Sequence, residues 1–172
     1  MDQRVAPLAA IFELNTDLLL NCLDGLSQAE AQRRLDGGGN SIIFLAAHLT
    51  DTRHFLATRL GRPLPNPLSR YLADAQSIED IGDWPALDDL RGHWVAVGAH
   101  LASVLRELAP DALERTGAHR FPVPDSTPVG MLGFLAQHES YHVGQAAFLR
   151  RQLGKPAMTY TRRPVEALAV GG

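Results

Sequence analysis

The sequence predicts an all-α protein, a four-helix bundle of 172 residues, and three observations carry that expectation. Four long stretches repeat their apolar residues at alternating steps of 3 and 4, the period of one helical face. No stretch alternates with period 2 over a strand's length, and no segment repeats another, so neither a sheet nor a solenoid is indicated. With 45% hydrophobic residues, the chain is long enough for one well-buried core and short for two. One domain over residues 1–172 is therefore expected.

The first helix is written by Leu8, Ile11, Phe12, Leu18, Leu19 and Cys22, with Pro7 in its first turn and Gly25 at its end. Ser27-Gln28-Ala29-Glu30 matches a capping box, which predicts a short helix from Gln28 to Leu35 before the Gly37-Gly38-Gly39-Asn40 break. That glycine run lacks the lysine and the preceding strand of a phosphate loop. Ser41 is a good N-cap for a second long helix, Ile42 to about Leu60, whose expected inward stripe is Phe44, Leu45, His48, Thr52 and Phe55. Gly61 and Pro63 stop it. Residues 61–83, with prolines at 63, 65 and 67, read as a long connection with a helical turn around Tyr71, of the kind that borders binding sites. A third long helix begins near Pro85 and carries Leu87, Leu90, Trp94, Val97, Leu101, Val104 and Leu108 on its packing face. After a second proline-rich crossing at 109–126, Thr127 caps and Pro128 opens the last helix, which Gly154 and Pro156 end. Trp94, Val97, Leu101, Leu135 and Leu149 are expected in the core. Periodicity does not choose between an up-down order and a crossover, and residues 160–172 are left as a tail without assigned order.

Charge narrows the partners. Sixteen basic and nineteen acidic residues are mixed along the chain, for a net charge of −3, without the basic run that a phosphate-backbone binder needs. Nucleic acid is not expected as a partner. Cys22 is the sole cysteine, which excludes an internal disulfide and a thiolate zinc site and suits a reducing compartment. Glu13, Asn15 and Asp17 interrupt the apolar run near the start, and no window reaches about 18 uninterrupted apolar residues. A soluble, cytoplasmic protein without a membrane partner is the expectation.

The chemistry gathers in the last helix, around Gln137-His138-Glu139-Ser140-Tyr141-His142-Val143-Gly144-Gln145. Met131, Leu135, His138, His142, Gln145 and Leu149 form one stripe, expected to face the core. Polar side chains in such a stripe need partners, since burying each alone costs roughly 2–7 kcal/mol. His138 and His142, four residues apart, can aim at one point, and His48 supplies a third inward histidine from another helix, as bundle metal sites do. Three imidazoles without a thiolate suit zinc, nickel or iron, with further coordination positions open. Gln145 and Tyr141 are candidates to orient a ligand ring or donate a hydroxyl, and Asp51 to bond a ligand imidazole. His54, His93, His100 and His119 read as surface residues, and Cys22 as packing.

These residues also resemble a known family. His48 within Ala46-Ala47-His48-Leu49, the Asn40-Ser41 start of that helix, and the segment from Gln137 to Gln145 are similar in order and spacing to the DinB/YfiT-like family of metalloenzymes. The resemblance runs from Asn40 to Pro156 and is most specific in the last helix. It implies a four-helix bundle, often a homodimer, with His48, His138 and His142 as metal ligands. Relatives with known activity include thiol-cofactor-dependent S-transferases and an isomerase. A small-molecule substrate, a divalent metal and a low-molecular-weight thiol are thus implied, with an S-transferase or hydrolase as the reaction type.

Two other readings compete. His138-Glu139-Ser140-Tyr141-His142 spells the H-E-x-x-H zinc peptidase motif, with Glu139 as general base and Glu166 as third ligand. It lacks a substrate-binding strand, and Gly144 and Phe148 break the extended metzincin pattern. In the third reading a structural metal only staples two helices, which an open coordination position disfavours.

Overall fold

The computed structural model describes residues 1–35, 38–72, 75, 77–116 and 121–162. Its helices are α1 (Ala6–Leu23), α2 (Gln28–Gln32), α3 (Ile42–Arg59), α4 (Ser69–Leu72), α5 (Leu87–Glu107) and α6 (Pro128–Gln152), with 3₁₀ turns at Ile78–Asp80 and Pro110–Glu114. No strand occurs among the described residues. The four long helices are those expected, and the local signals set their ends. Ser41 accepts from the Phe44 N–H, and Thr127 from the Val129 N–H ahead of Pro128. Ser27 and Glu30 close a reciprocal capping box, yet α2 stops at Gln32 rather than Leu35, where Arg33 turns extended and Gln32, Arg33 and Arg34 are exposed. Likewise α5 starts two residues after Pro85. The Gln28 side chain caps it from α2, accepting from the Leu87 N–H at 2.8 Å and donating to the Pro85 carbonyl at 3.2 Å.

Around the bundle the order is α1, α5, α3, α6, each packing on its two neighbours. Trp94 on α5 donates to the Thr16 carbonyl of α1, and Arg91 reaches the Leu23 carbonyl, so those two helices are antiparallel. Asn15 meets Ser140, and Arg150 reaches the Cys22 carbonyl, so α1 and α6 are parallel. Phe44 packs on Trp84, and the Arg62 carbonyl accepts from His100, so α3 and α5 also run in parallel. The result is up-down-down-up, with α1 diagonal to α3 and α5 diagonal to α6. A chain joining parallel neighbours must travel back along the bundle, which accounts for the length of residues 60–86.

Two apolar clusters fill the interior. One joins Leu18–Leu23 of α1 to Ile42–Leu49 of α3, Trp94 and Val143; the other joins Phe12, Leu56, Leu101, Leu105, Leu132 and Leu135. Between them lies a polar layer centred on Arg53. Its guanidinium donates to both carboxylate oxygens of Glu139 at 2.8 and 2.7 Å, to the Thr16 hydroxyl at 2.8 Å and to the Phe12 carbonyl at 2.7 Å. It also lies over the Trp94 ring, 3.6 Å from its centroid. All four long helices thus touch one side chain, which is 1% exposed. Gly98 makes room for it: a Cβ there would stand 2.7 Å from Arg53 Nη1.

Several expected faces are rotated. On α3 the buried line runs through Leu45, Leu49, Arg53 and Leu56, while Phe44, His48 and Thr52 are half-buried and Phe55 is exposed. On α6 it runs through Leu132, Ala136, Glu139, Val143 and Arg150, and Leu149 is only half-buried. Trp94, Val97, Leu101 and Leu135 are buried as expected, whereas Ile11 is exposed. The histidine stripe is therefore the shoulder where α3 and α6 meet, not the centre of the core.

By length and composition α1 could cross a membrane, with a mean hydropathy of 1.2. Here it packs inside the bundle against both α5 and α6. Its polar residues are engaged: Asn15 with Ser140, Asp17 with Arg162 at 2.8 Å, and Asn21 with the Thr159 and Thr161 carbonyls at 2.9 Å. The first residues beyond α6 therefore lie against α1. Burial holds the Cys22 thiol up at about 12, as suits a packing residue.

Candidate metal centre

Where the shoulders of α3 and α6 meet, His48, His138 and His142 present their rings to one point. The i, i+4 spacing brings the two rings of α6 to 4.5 Å between centroids, and the antiparallel run of α3 brings His48 to 5.1 and 5.0 Å from them. His138 Nε2 lies 3.3 Å from His48 Nε2 and 3.1 Å from His142 Nε2. Aromatic rings flank the group: Phe44 stacks on His48 and is backed by Trp84, while Phe134 stacks on His138 and is backed by Phe121. The two long connections thus contribute one aromatic each, through Trp84 and Phe121.

Hydrogen-bond logic sets one of the three tautomers. Gln145 donates its amide N–H to the Tyr141 hydroxyl at 3.1 Å, so its carbonyl oxygen faces His142 Nδ1 at 2.6 Å. Nδ1 must then carry the proton, and His142 Nε2 offers a lone pair to the common point. His138 Nε2 cannot serve both neighbours. As a donor it satisfies one of them; as an acceptor it meets the lone pair of His142. His138 Nδ1 is buried and has no partner. Three neutral rings alone therefore leave a contact unmade, whereas a cation at their focus would accept every lone pair. Nitrogens bound tetrahedrally at 2.0–2.1 Å sit about 3.3 Å apart, close to the spacings here. The donor set fits a divalent ion.

Electrostatics favour the same state. Burial, then the neighbouring His142 and His138, pushes His48 down to about 4 from an ordinary 6.5, and burial followed by His142 lowers His138. Held neutral at neutral pH, His48 and His138 keep their lone pairs for a ligand. The linkage has a definite sign: as pH falls below 6.5 the unfolded chain takes up protons that folded His48 refuses until about 4, so the unfolded state gains. Metal-free protein is expected to lose thermal stability steadily from pH 6.5 towards 4, with His138 and the buried His54 acting in the same direction. Unfolding in chelator across that window checks this. A midpoint that stays level or rises as pH falls would contradict the lowered His48 and His138.

The other candidates sort cleanly. Glu139 turns away from the histidines and is bound by Arg53 on the bundle axis, so it cannot act as a base beside them. Asp51 accepts from Asn66 at 2.6 Å instead of from a ligand ring. His54 is not a surface residue; it is 4% exposed, with Nδ1 3.2 Å from the Leu64 carbonyl. His93 and His100 are half-buried, and His100 donates to the Arg62 carbonyl. His119 and Glu166 lie outside the described residues, as does Gly37. Sequence reasoning missed Arg53, although an arginine between Leu49 and Leu56 on an apolar line was a readable sign.

Next to Gln145 and Tyr141 opens a hollow of about 680 Å³, walled by α6 and by residues 38–40. A smaller one of about 210 Å³ lies between Arg59 and Met131, and none of the three histidines lines either hollow. Gly61 from the first long connection and Ala112, Arg115, Phe121 and Ser126 from the second line this smaller hollow.

Comparison with known families matches residues 11–146 to the model of the DinB superfamily. Comparisons with curated proteins and with solved structures return no match.

Proposed function

The chain belongs to the DinB superfamily, and from that premise we propose that it is a metal-dependent enzyme acting on a small molecule, with His48, His138 and His142 as ligands of one divalent ion. Zinc and nickel suit a three-imidazole set best, and iron is compatible with it. The observation that carries the reading is the convergence of three imidazole Nε2 atoms whose contacts cannot all be satisfied among themselves. Among the described residues no other histidine, cysteine or carboxylate joins the group, which leaves coordination open and favours catalysis over a structural staple.

When bound, such an ion supplies Lewis acidity and lowers the pKa of a coordinated water or thiol. The chain's own part is to hold the ligands. Gln145 keeps His142 in the tautomer with a free Nε2, and the Phe44 and Phe134 rings fix the planes of His48 and His138. The Tyr141 ring lies 5.2 Å from that of His142, and its hydroxyl accepts from Gln145. A thiol-dependent S-transferase, or a hydrolase, is the reaction type proposed, in a cytoplasmic homodimer. The peptidase reading loses its base, because both oxygens of Glu139 are engaged by Arg53.

The test is metal analysis of protein purified without a histidine tag, followed by thermal-shift measurements with low-molecular-weight thiols. About one ion per chain, and stabilisation by one thiol but not its alcohol analogue, is expected. Protein that folds fully yet takes up no divalent metal from a competitive buffer would end the proposal.

A further inference from the structure

The hollow beside Gln145 has a chemical character of its own. Its walls are Leu35, Leu45, Phe148 and Leu149 with Asn40, Gln145 and the backbone of Gly38 and Gly39, and among the described residues no charged side chain lines it. None of these described walls offers an ion a counter-charge, whereas Leu35, Leu45, Phe148 and Leu149 offer apolar surface. At about 680 Å³ it lies within the roughly 300–1,000 Å³ of small-molecule sites. Tyr141 and Phe148 stand over it two helical turns apart, 58% and 60% exposed, and between them Gly144 leaves open space: a Cβ there would meet nothing within 4 Å. The Tyr141 oxygen already accepts from Gln145, so the hydroxyl's own proton is available to an acceptor.

We infer that this hollow binds an uncharged, largely apolar small molecule of fused-ring size, with a hydrogen-bond acceptor placed at the Tyr141 hydroxyl. The inference names the substrate class of the site proposed above and rests on that reading for its connection to the metal. That connection is short: from the Tyr141 hydroxyl through the Gln145 amide to His142 Nδ1, two hydrogen bonds. A bound acceptor would thus sit at the end of the chain that orients a metal ligand.

Three probes sharing one naphthalene ring system test it by fluorescence titration on the full chain, incubated with excess zinc and then freed of unbound ion. They are 6-propionyl-2-dimethylaminonaphthalene, its parent 2-dimethylaminonaphthalene, and the 6-sulfonate. The ketone is expected to bind saturably, at least about 10-fold more tightly than the sulfonate. Gly144→Leu fills the hollow from a helical position with space for the side chain, and should weaken the ketone at least about 10-fold while the fold and metal content stay unchanged. Tyr141→Phe should weaken the ketone about 5-fold, the worth of one hydrogen bond, and leave the parent within about twofold. Failure of the ketone to bind, equal binding by Gly144→Leu, a sulfonate as tight as the ketone, or an equal Tyr141→Phe effect on ketone and parent would overturn the inference. Metal analysis of the same samples separates the two ideas: dye binding without metal removes the enzyme reading alone, and metal without dye binding removes this one alone.

Discussion

Glu139→Gln is expected to cost about 3–5 kcal/mol of stability, the usual loss when one partner of a buried ion pair is removed, and to leave metal content unchanged. The carboxylate accepts two N–H groups of Arg53 in a layer where both side chains are 1% exposed. An amide presents one acceptor and one donor to those two donors, so one contact becomes repulsive and the guanidinium loses its counter-charge. In a chain of this length the loss corresponds to a midpoint lowered by about 10 °C. Urea unfolding at constant slope measures it, with metal analysis alongside. Replacing both partners, as Arg53→Met with Glu139→Leu, should recover much of the loss, because apolar groups need no pairing. A Glu139→Gln cost below about 1 kcal/mol would mean that the polar layer does not hold the bundle together. Loss of metal, or of a peptidase activity, in the same variant would restore the H-E-x-x-H reading.

The second large effect belongs to His48→Ala. Removing one of three ligands should weaken divalent-metal binding by at least about 100-fold, beyond the 10–100-fold typical of losing an outer hydrogen-bond partner. Helical content should be kept, because His48 lies on the half-buried shoulder of α3 while Leu45, Leu49 and Leu56 hold its core face. A further readout distinguishes a ligand from a packing residue. Without the imidazole held down at about 4, the metal-free variant should lose less stability than the parent between pH 6.5 and 4. Chelator competition and circular dichroism check the first two results. An alanine variant that binds metal as tightly as the parent would remove His48 from the site.

Much of this was legible in the sequence because its causes are local. Ser41, Thr127 and the Ser27–Glu30 box announce helix starts through side chains that bond their own neighbours, and Gly61 and Gly154 end helices with φ of 78° and 77°. The histidine site was legible for a similar reason: i, i+4 spacing fixes two ring directions, and His48 stands out in an apolar helix. What stayed hidden depends on distant partners. Arg53 and Glu139 are 86 residues apart, and each alone reads as a surface charge. His54 looks solvated until the Leu64 carbonyl of the following connection covers it. Helical periodicity gives a stripe but not its centre, so the faces of α3 and α6 were read about one residue off. The order of helices around the bundle is a property of the connections, and periodicity carries no information about it.

The pairing of α1 with α6 has a consequence for synthesis. In an up-down-down-up bundle the first helix made takes the last one as a neighbour, and here more than a hundred residues separate Leu23 from Pro128. At translation rates of about 5–20 residues per second, α1 waits roughly 5–20 s before α6 exists. Until α5 is made an 18-residue helix with a mean hydropathy of 1.2 lacks both of its permanent neighbours, and until α6 is made it lacks one. On the ribosome, α1 is the segment that a chaperone has most reason to cover, and the histidine centre, whose ligands come from α3 and α6, cannot assemble until the wait is over.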